Sequence, residues 1–212
     1  MKKSESTFVD IRELRYHVRR WPHEGAPKMV LLHGWMDVSA SFQFLADALR
    51  GEWDLYAPDW RGYGLTQWGT SESYWFPDYI ADLEKLLDHF GASPVNLVGH
   101  SLGGNVASMY AGIRPQRVAK LVNLEGFGLA PTRPEQAPER YARWLDELHE
   151  PPRLRPYRDF GELAERLRKN NPRLTPERAE FLARHWGRDA GKEGVVLMAR
   201  AGSSPHSSSR TL

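Results

Sequence analysis

The chain has 212 residues, of which 41% are hydrophobic and 26% charged, and this composition predicts a folded protein with a sizeable apolar core. Its formal charge of +2 comes from 29 basic and 27 acidic side chains spread along the chain, so we expect neither nucleic acid nor a membrane as a partner. The absence of cysteine excludes disulfides, thiolate metal sites and a cysteine nucleophile. The N-terminus lacks the apolar run of a signal peptide, so we expect a cytoplasmic protein.

Strand and helix patterns alternate over the first 128 residues. Short apolar runs, typical of strands buried on both faces, are followed by stretches with helical spacing. This alternation predicts crossover units, and therefore an α/β fold with a mostly parallel twisted sheet and helices on both faces. The predicted strands are residues 7–20 (one or two edge strands), 29–32, 53–58, 95–98 and 118–124, and the predicted helices are residues 39–50, with a serine cap at Ser39, 78–90 and 103–113.

The pattern changes after Gly128. Proline clusters separate three stretches of helical spacing, at residues 139–150, 159–169 and 176–187, and no strand signal is found among them. Residues 201–212 contain five serines and no acidic residue. The predicted organisation is an α/β core over residues 1–130, an all-helical insertion at 131–190, and a short remnant with a low-complexity tail at 191–212.

One serine lies in a collar of glycines, in the sequence Gly99-His100-Ser101-Leu102-Gly103 between a predicted strand and a predicted helix. A nucleophile at such a junction requires a tight turn, and small residues on either side let the strand and the helix approach each other. The free amides at the start of the helix would face a developing oxyanion. The alternative is a glycine-containing turn with an idle serine.

Two further loops follow predicted strands: His33-Gly34-Trp35-Met36-Asp37 and the stretch DWRGYG at residues 59–64. With the serine loop, and in this order, they resemble the α/β-hydrolase family. The resemblance implies that Ser101 is a nucleophile, that the backbone amides of Trp35 and Leu102 form an oxyanion hole, and that residues 131–190 form a helical cap. It also implies that no metal or cofactor is needed.

A serine nucleophile needs a base and an orienting carboxylate, and in this family they follow the serine in the chain. Glu125, after the strand that follows the serine helix, resembles an alternative acid position of some members. No histidine matches the family's base by motif. His33 and His100 occupy structural positions of the motifs, and the histidines farther along the chain are His149, His185 and His206. We therefore expect the C-terminal part of the core fold, with the base, to be missing from this chain.

The resemblance leaves two functions open. The first is hydrolysis of a small apolar acyl or ester substrate through an acyl-enzyme, with Trp35, Trp60 and Phe127 as candidate pocket residues. The second is a catalytically inactive fragment or a non-catalytic small-ligand binder. A sheet that stops after residues 118–124 would also leave an uncovered edge, which predicts self-association.

Overall fold

The computed structural model describes residues 1–50, 53–69, 74–91, 94–128, 131, 133–149 and 154–199. One six-stranded sheet forms its centre, in the order β1-β2-β4-β3-β5-β6. The pairs β3–β4, β3–β5 and β5–β6 are parallel, whereas β1–β2 and β2–β4 are antiparallel, so the predicted mostly parallel sheet is confirmed. The strands are β1 (Glu5–Ile11), β2 (Leu14–Trp21), β3 (Lys28–Leu32), β4 (Asp54–Pro58), β5 (Val95–His100) and β6 (Val118–Leu124).

Helices cover both faces of this sheet. Successive side chains of a strand point to opposite faces, so a strand that is apolar throughout needs helices on both sides to bury it. Val30 and Leu32 of β3 join the core beneath two helices, α2 (Phe76–His89) and α3 (Leu102–Ile113). Leu31 joins a second core with α1 (Gln43–Ala48) on the other face. The predicted cap at Ser39 is wrong, because a 3₁₀ turn over Ser39–Phe42 precedes α1 and Ser39 lies inside that turn. Its N–H donates to the carboxylate of Asp59, 20 residues along the chain.

The carboxyl ends of β3, β5 and β6 lie side by side. Leu32 is paired with Gly99, and Gly99 with Asn123. Since the strands are parallel, the loops that follow them meet at one edge of the sheet, which is where open α/β sheets hold their ligands. The register thus brings the 33–37 loop and the Ser101 turn together.

Strand β6 ends the sheet and is its least buried strand. Within the described residues it pairs with β5 alone, and Leu121, Val122 and Leu124 are 36%, 48% and 41% exposed. Both faces of β6 therefore carry apolar side chains that the described residues leave open to solvent. This arrangement is typical of an interaction edge.

Three helices form most of the region beyond β6: α4 (Ala137–His149), α5 (Phe160–Asn170) and α6 (Pro176–Trp186). They match the three predicted helical stretches. In α6, the N–H of Arg178 donates to the side chain of the N-terminal cap, Thr175.

The absence of strands from this region was predicted wrongly. A short hairpin follows α6, with β7 (Gly187–Asp189) antiparallel to β8 (Val195–Leu197). Three residues are too few to show a period of two, which explains why the sequence pattern missed them. Beyond β8, Ala199 bridges to Tyr63 and is part of the main core. The predicted tail, residues 201–212, lies outside the described residues.

None of the described helices is long and apolar enough to cross a bilayer.

Candidate active site

Ser101 occupies a sharp turn between β5 and α3. Its backbone has φ 50° and ψ −113°, and residues other than glycine rarely adopt a positive φ. The N–H of Ser101 donates to the carbonyl of Leu124 at 2.8 Å, and its own carbonyl accepts the N–H of Asn105 in the first turn of α3. These two bonds tie the strained residue to β6 on one side and to the helix on the other.

Glycine lets the helix approach the sheet at this turn. A Cβ built on Gly103 would lie 2.2 Å from the carbonyl oxygen of Leu32, far inside contact distance, so α3 rests directly on the end of β3. A Cβ on Gly34 would lie 3.2 Å from the Cβ of Ser101 and 3.0 Å from Nδ1 of His100. The 33–37 loop is therefore in contact with the candidate nucleophile.

Two backbone amides beside this contact have the properties of oxyanion donors. Leu102 is the first residue of α3, where N–H groups have no partner within the helix. Trp35 follows Gly34, and the next residue, Met36, has φ 58°. Among the described residues, neither N–H of Trp35 or Leu102 has a hydrogen-bond acceptor. Both amides are thus free to bind an incoming oxygen.

His33 fastens the first loop to the DWRGYG loop. Its ring is fully buried, Nδ1 donates to the carbonyl of Gly34 at 2.8 Å, and Nε2 accepts the N–H of Trp60 at 2.9 Å. These partners fix a neutral tautomer. Since both ring nitrogens are engaged, His33 holds the loops in place and has no nitrogen left to accept a proton from Ser101.

Asp59 fixes the same loop from beneath. Its carboxylate accepts hydrogen bonds from the backbone of Ser39 at 2.6 Å, from the backbone of Leu65 at 2.9 Å and from Nδ1 of His17 at 2.7 Å. Burial alone would raise the pKa of Asp59, but the hydrogen bond and charge of His17 outweigh it and lower that pKa to about 2. The carboxylate is therefore ionised at neutral pH.

Arg61 in the same loop forms a buried ion pair. Its Nε and Nη2 donate to the carboxylate of Asp82 at 2.6 and 2.7 Å, and the hydroxyl of Tyr16 donates to the same carboxylate. Burial opposes the charge, but the bond to Asp82 dominates and raises the pKa of Arg61. The pair therefore joins the DWRGYG loop to α2.

Glu125 lies at the end of β6, beside the Ser101 turn. It has φ 60°, its side chain is 74% exposed, and Oε2 is 3.8 Å from Nε2 of His100. His100 is itself 43% exposed. Among the described residues, the hydroxyl of Ser101 has no hydrogen-bond partner, so the structure brings a carboxylate near the turn without placing a base on the serine.

The three candidate pocket residues lie in different surroundings. Trp35 is 40% exposed on the loop beside Ser101, and Phe127 is 92% exposed after β6. Trp60 has no exposed surface, and its indole N–H donates to the carbonyl of His33. The pocket prediction is therefore wrong for Trp60, because a ring enclosed on all sides is a core residue.

The other candidate histidines lie in the helices beyond β6. His149 is exposed at the end of α4. His185 is half-buried in α6, where Nδ1 bonds the carbonyl of Phe181 and burial lowers its pKa. His206 lies outside the described residues. Within the described part of the chain, no cluster of three histidine, aspartate or glutamate side chains has the arrangement of a metal site.

Comparison with known proteins decides the family. The model of the alpha/beta hydrolase fold matches residues 27–189, which include all three loops and extend through α6. The chain belongs to the alpha/beta hydrolase family. Its predicted membership is thereby confirmed.

Relatives of this alpha/beta hydrolase include a serine hydrolase-like protein of Danio rerio, 31% identical over 193 residues, which are 86% of this chain and 58% of the relative. Epoxide hydrolase 4 of Mus musculus is 34% identical over 118 residues, which are 54% of this chain and 33% of that protein. The chain thus spans little more than half the length of the first relative. A thioesterase domain from the curacin biosynthetic pathway superimposes with a TM-score of 0.85 at 25% identity, covering 94% of this chain and 70% of that one.

One buried polar residue of the chain could not be predicted from the sequence. His17 is 99% buried in β2 and binds Asp59, yet it belongs to none of the three loops. The loose alternation of residues 7–20 predicts strands but does not give their register. Only the pairing of β1 with β2, and of β2 with β4, brings this side chain to the carboxylate.

Proposed function

We propose that the chain is a serine hydrolase that cleaves a small apolar ester or a related acyl compound through an acyl-enzyme. The observation that carries the proposal is the position of Ser101, held at φ 50° at the start of α3 and in contact with the 33–37 loop. Strain of this kind persists where the surrounding structure enforces it, and functional sites are where it is concentrated.

In the proposed reaction, Oγ of Ser101 attacks the substrate carbonyl, and the N–H groups of Trp35 and Leu102 bind the resulting oxyanion. Removing one such donor from a serine hydrolase costs roughly 3 kcal/mol of transition-state stabilisation, so the pair would supply a large part of the rate. Glu125 is the proposed acid, because it is near the turn and 3.8 Å from His100. The proton acceptor for Ser101 is not among the contacts of the described residues.

We also propose that residues 131–190 form a cap over the apolar side of the site. Two contacts support a cap that rests near the 33–37 loop: the indole N–H of Trp186 donates to Oγ of Ser41 at 2.9 Å, and the rings of Phe181 and Phe44 meet at 5.3 Å. A cap seated there would shield an acyl group beside Trp35.

The second candidate function is non-catalytic binding of a small ligand by the same site. The hydroxyl of Ser101 lacks a base in contact with it among the described residues, and this observation favours the second function. The free amides of Trp35 and Leu102 would then hold a carbonyl or carboxylate oxygen without turning it over.

A labelling experiment separates the two functions. The purified chain is treated with a fluorophosphonate probe and assayed with a short-chain nitrophenyl ester, beside Ser101→Ala and a control, Ser108→Ala, two turns along the same helix. The catalytic proposal predicts a probe adduct on Ser101 and ester turnover, both lost in Ser101→Ala and kept in Ser108→Ala. Folded protein without a Ser101 adduct and without Ser101-dependent turnover would establish the non-catalytic function instead.

A further inference from the structure

Three side chains outside the Ser101 turn form a chain of hydrogen bonds. Oγ of Ser6 is 2.9 Å from Nε2 of His17, and Nδ1 of His17 is 2.7 Å from Oδ2 of Asp59. The order is hydroxyl, imidazole, carboxylate, which is the arrangement that activates a serine in hydrolases, and such triads are recognised by geometry and not by their order in the chain. Among the described residues, none of the three forms a hydrogen bond with Ser101.

The partners of Asp59 fix the protons in this arrangement. Its carboxylate is ionised, held by the backbone N–H groups of Ser39 and Leu65, and therefore accepts a hydrogen bond from Nδ1 of His17. A ring that donates from Nδ1 to this carboxylate has Nε2 facing the hydroxyl of Ser6, and in its neutral form Nε2 accepts the hydroxyl proton. The imidazole stands in the orientation that a general base requires.

Burial differs along the three residues in the way a reactive serine needs. The side chains of His17 and Asp59 are 1% and 3% exposed, whereas Ser6 lies on the exposed surface of β1, at the end of the sheet. The base and its carboxylate are shielded from water, and the hydroxyl is open to a reagent.

A cation stands next to the hydroxyl. Arg19 of β2 is paired with Ser6 in the register of the hairpin, so the two side chains lie on the same face. Nη1 of Arg19 donates to Oγ of Ser4 at 2.9 Å, while Nε has no acceptor among the described residues. Among the described residues, no carboxylate lies within ion-pair distance of Arg19, although the charge of Asp59 acts on it from farther away, so the guanidinium can also interact with an oxyanion that forms at Ser6.

We propose that Ser6 is a second reactive serine of this protein, acylated by activated esters with His17 as its base and independently of Ser101. Oγ of Ser6 bonds to the ester carbonyl carbon as its proton passes to Nε2 of His17. The bond to the leaving alkoxide then breaks, and the alkoxide takes the proton from Nε2. The products are an acyl ester of Ser6 and the free alcohol. The site is separate from the one proposed above and goes beyond it.

Peptide mapping of the probe adducts tests this assignment. Trypsin places Ser6 and Ser101 in different peptides, residues 4–12 and 86–117, so the two proposals succeed or fail separately. In Ser101→Ala, we expect a fluorophosphonate adduct on Ser6 and none on Ser4 of the same peptide, and we expect Ser6→Ala to remove it. Ser101→Ala protein that is folded but carries no adduct on Ser6 would overturn the proposal.

The absence of cysteine from the chain permits a second measurement. Single-cysteine variants Ser6→Cys, in β1, and Ser4→Cys, just before β1, each place a thiol beside Arg19, but only residue 6 is in contact with His17. An adjacent imidazole favours the thiolate, which is the reactive form. We expect iodoacetamide to alkylate Ser6→Cys at least about tenfold faster than Ser4→Cys at neutral pH. Equal rates in the two variants would contradict the role of His17.

Discussion

Replacing Gly103 by alanine is expected to destabilise the protein, although alanine is the better helix former. The added Cβ would lie 2.2 Å from the carbonyl oxygen of Leu32, and an ordinary contact needs about 3.5 Å, so α3 and β3 must separate by roughly 1 Å. The three atoms nearest to the added Cβ belong to the backbone of Leu32 and His33, so no flexible side chain can move out of the way. Overpacking of this kind costs about 1–3 kcal/mol.

Gly112, in the same helix, is the matched control. A Cβ there meets no atom within 4 Å, so Gly112→Ala is expected to gain about 0.5–1 kcal/mol from helix propensity alone. Urea unfolding followed by tryptophan fluorescence measures both variants, and the two free energies of unfolding should differ by roughly 1.5–4 kcal/mol. If Gly103→Ala were as stable as the unaltered chain, the close seating of α3 on β3 would be refuted.

Three further predictions concern the site and the edge of the sheet. Ser101→Gly should raise the free energy of unfolding by about 1 kcal/mol in urea, because glycine relieves the strain at φ 50°; a loss would show that the hydroxyl stabilises the turn. Folding lowers the pKa of Asp59 to about 2, so its carboxylate contributes about 2–3 kcal/mol above roughly pH 4, and this is lost as the pH falls toward 2. Asp59→Asn should therefore unfold with a flatter pH dependence between pH 4 and 2, and an unchanged slope would contradict the low pKa. Val122→Lys should shift the chain toward monomer in sedimentation velocity at increasing concentration, since it places a charge on the exposed edge of β6, and an unchanged profile would remove β6 from the proposed self-association.

Signals local in sequence predicted much of this molecule. The buried strands have apolar runs, and the loops around Ser101, His33 and Asp59 contain glycine, so the fold and the family could be predicted from short stretches of sequence. The hairpin over 187–197 was missed because three-residue strands have no measurable period.

What depends on register could not be predicted. The contact of His17 with Ser6 and Asp59 requires two strand pairings, and a shift of one residue would turn His17 to the other face. The burial of Trp60 was predicted wrongly for a related reason. The sequence of a loop motif does not show whether a tryptophan ring points into a pocket or into the core. Packing in three dimensions decides such cases.

The hydrogen bond between the Ser101 amide and the Leu124 carbonyl ties the Ser101 turn to a strand that is weakly held. Leu124 ends β6, whose faces are mostly exposed in the described chain, and strands with few buried contacts open locally at a small fraction of the global unfolding free energy. The amide of Ser101 should therefore exchange its hydrogen faster than the amides of β3, which is buried on both faces. Any binding event that covers β6 would slow this exchange. The rigidity of the Ser101 turn therefore depends on what packs against the edge strand of the sheet.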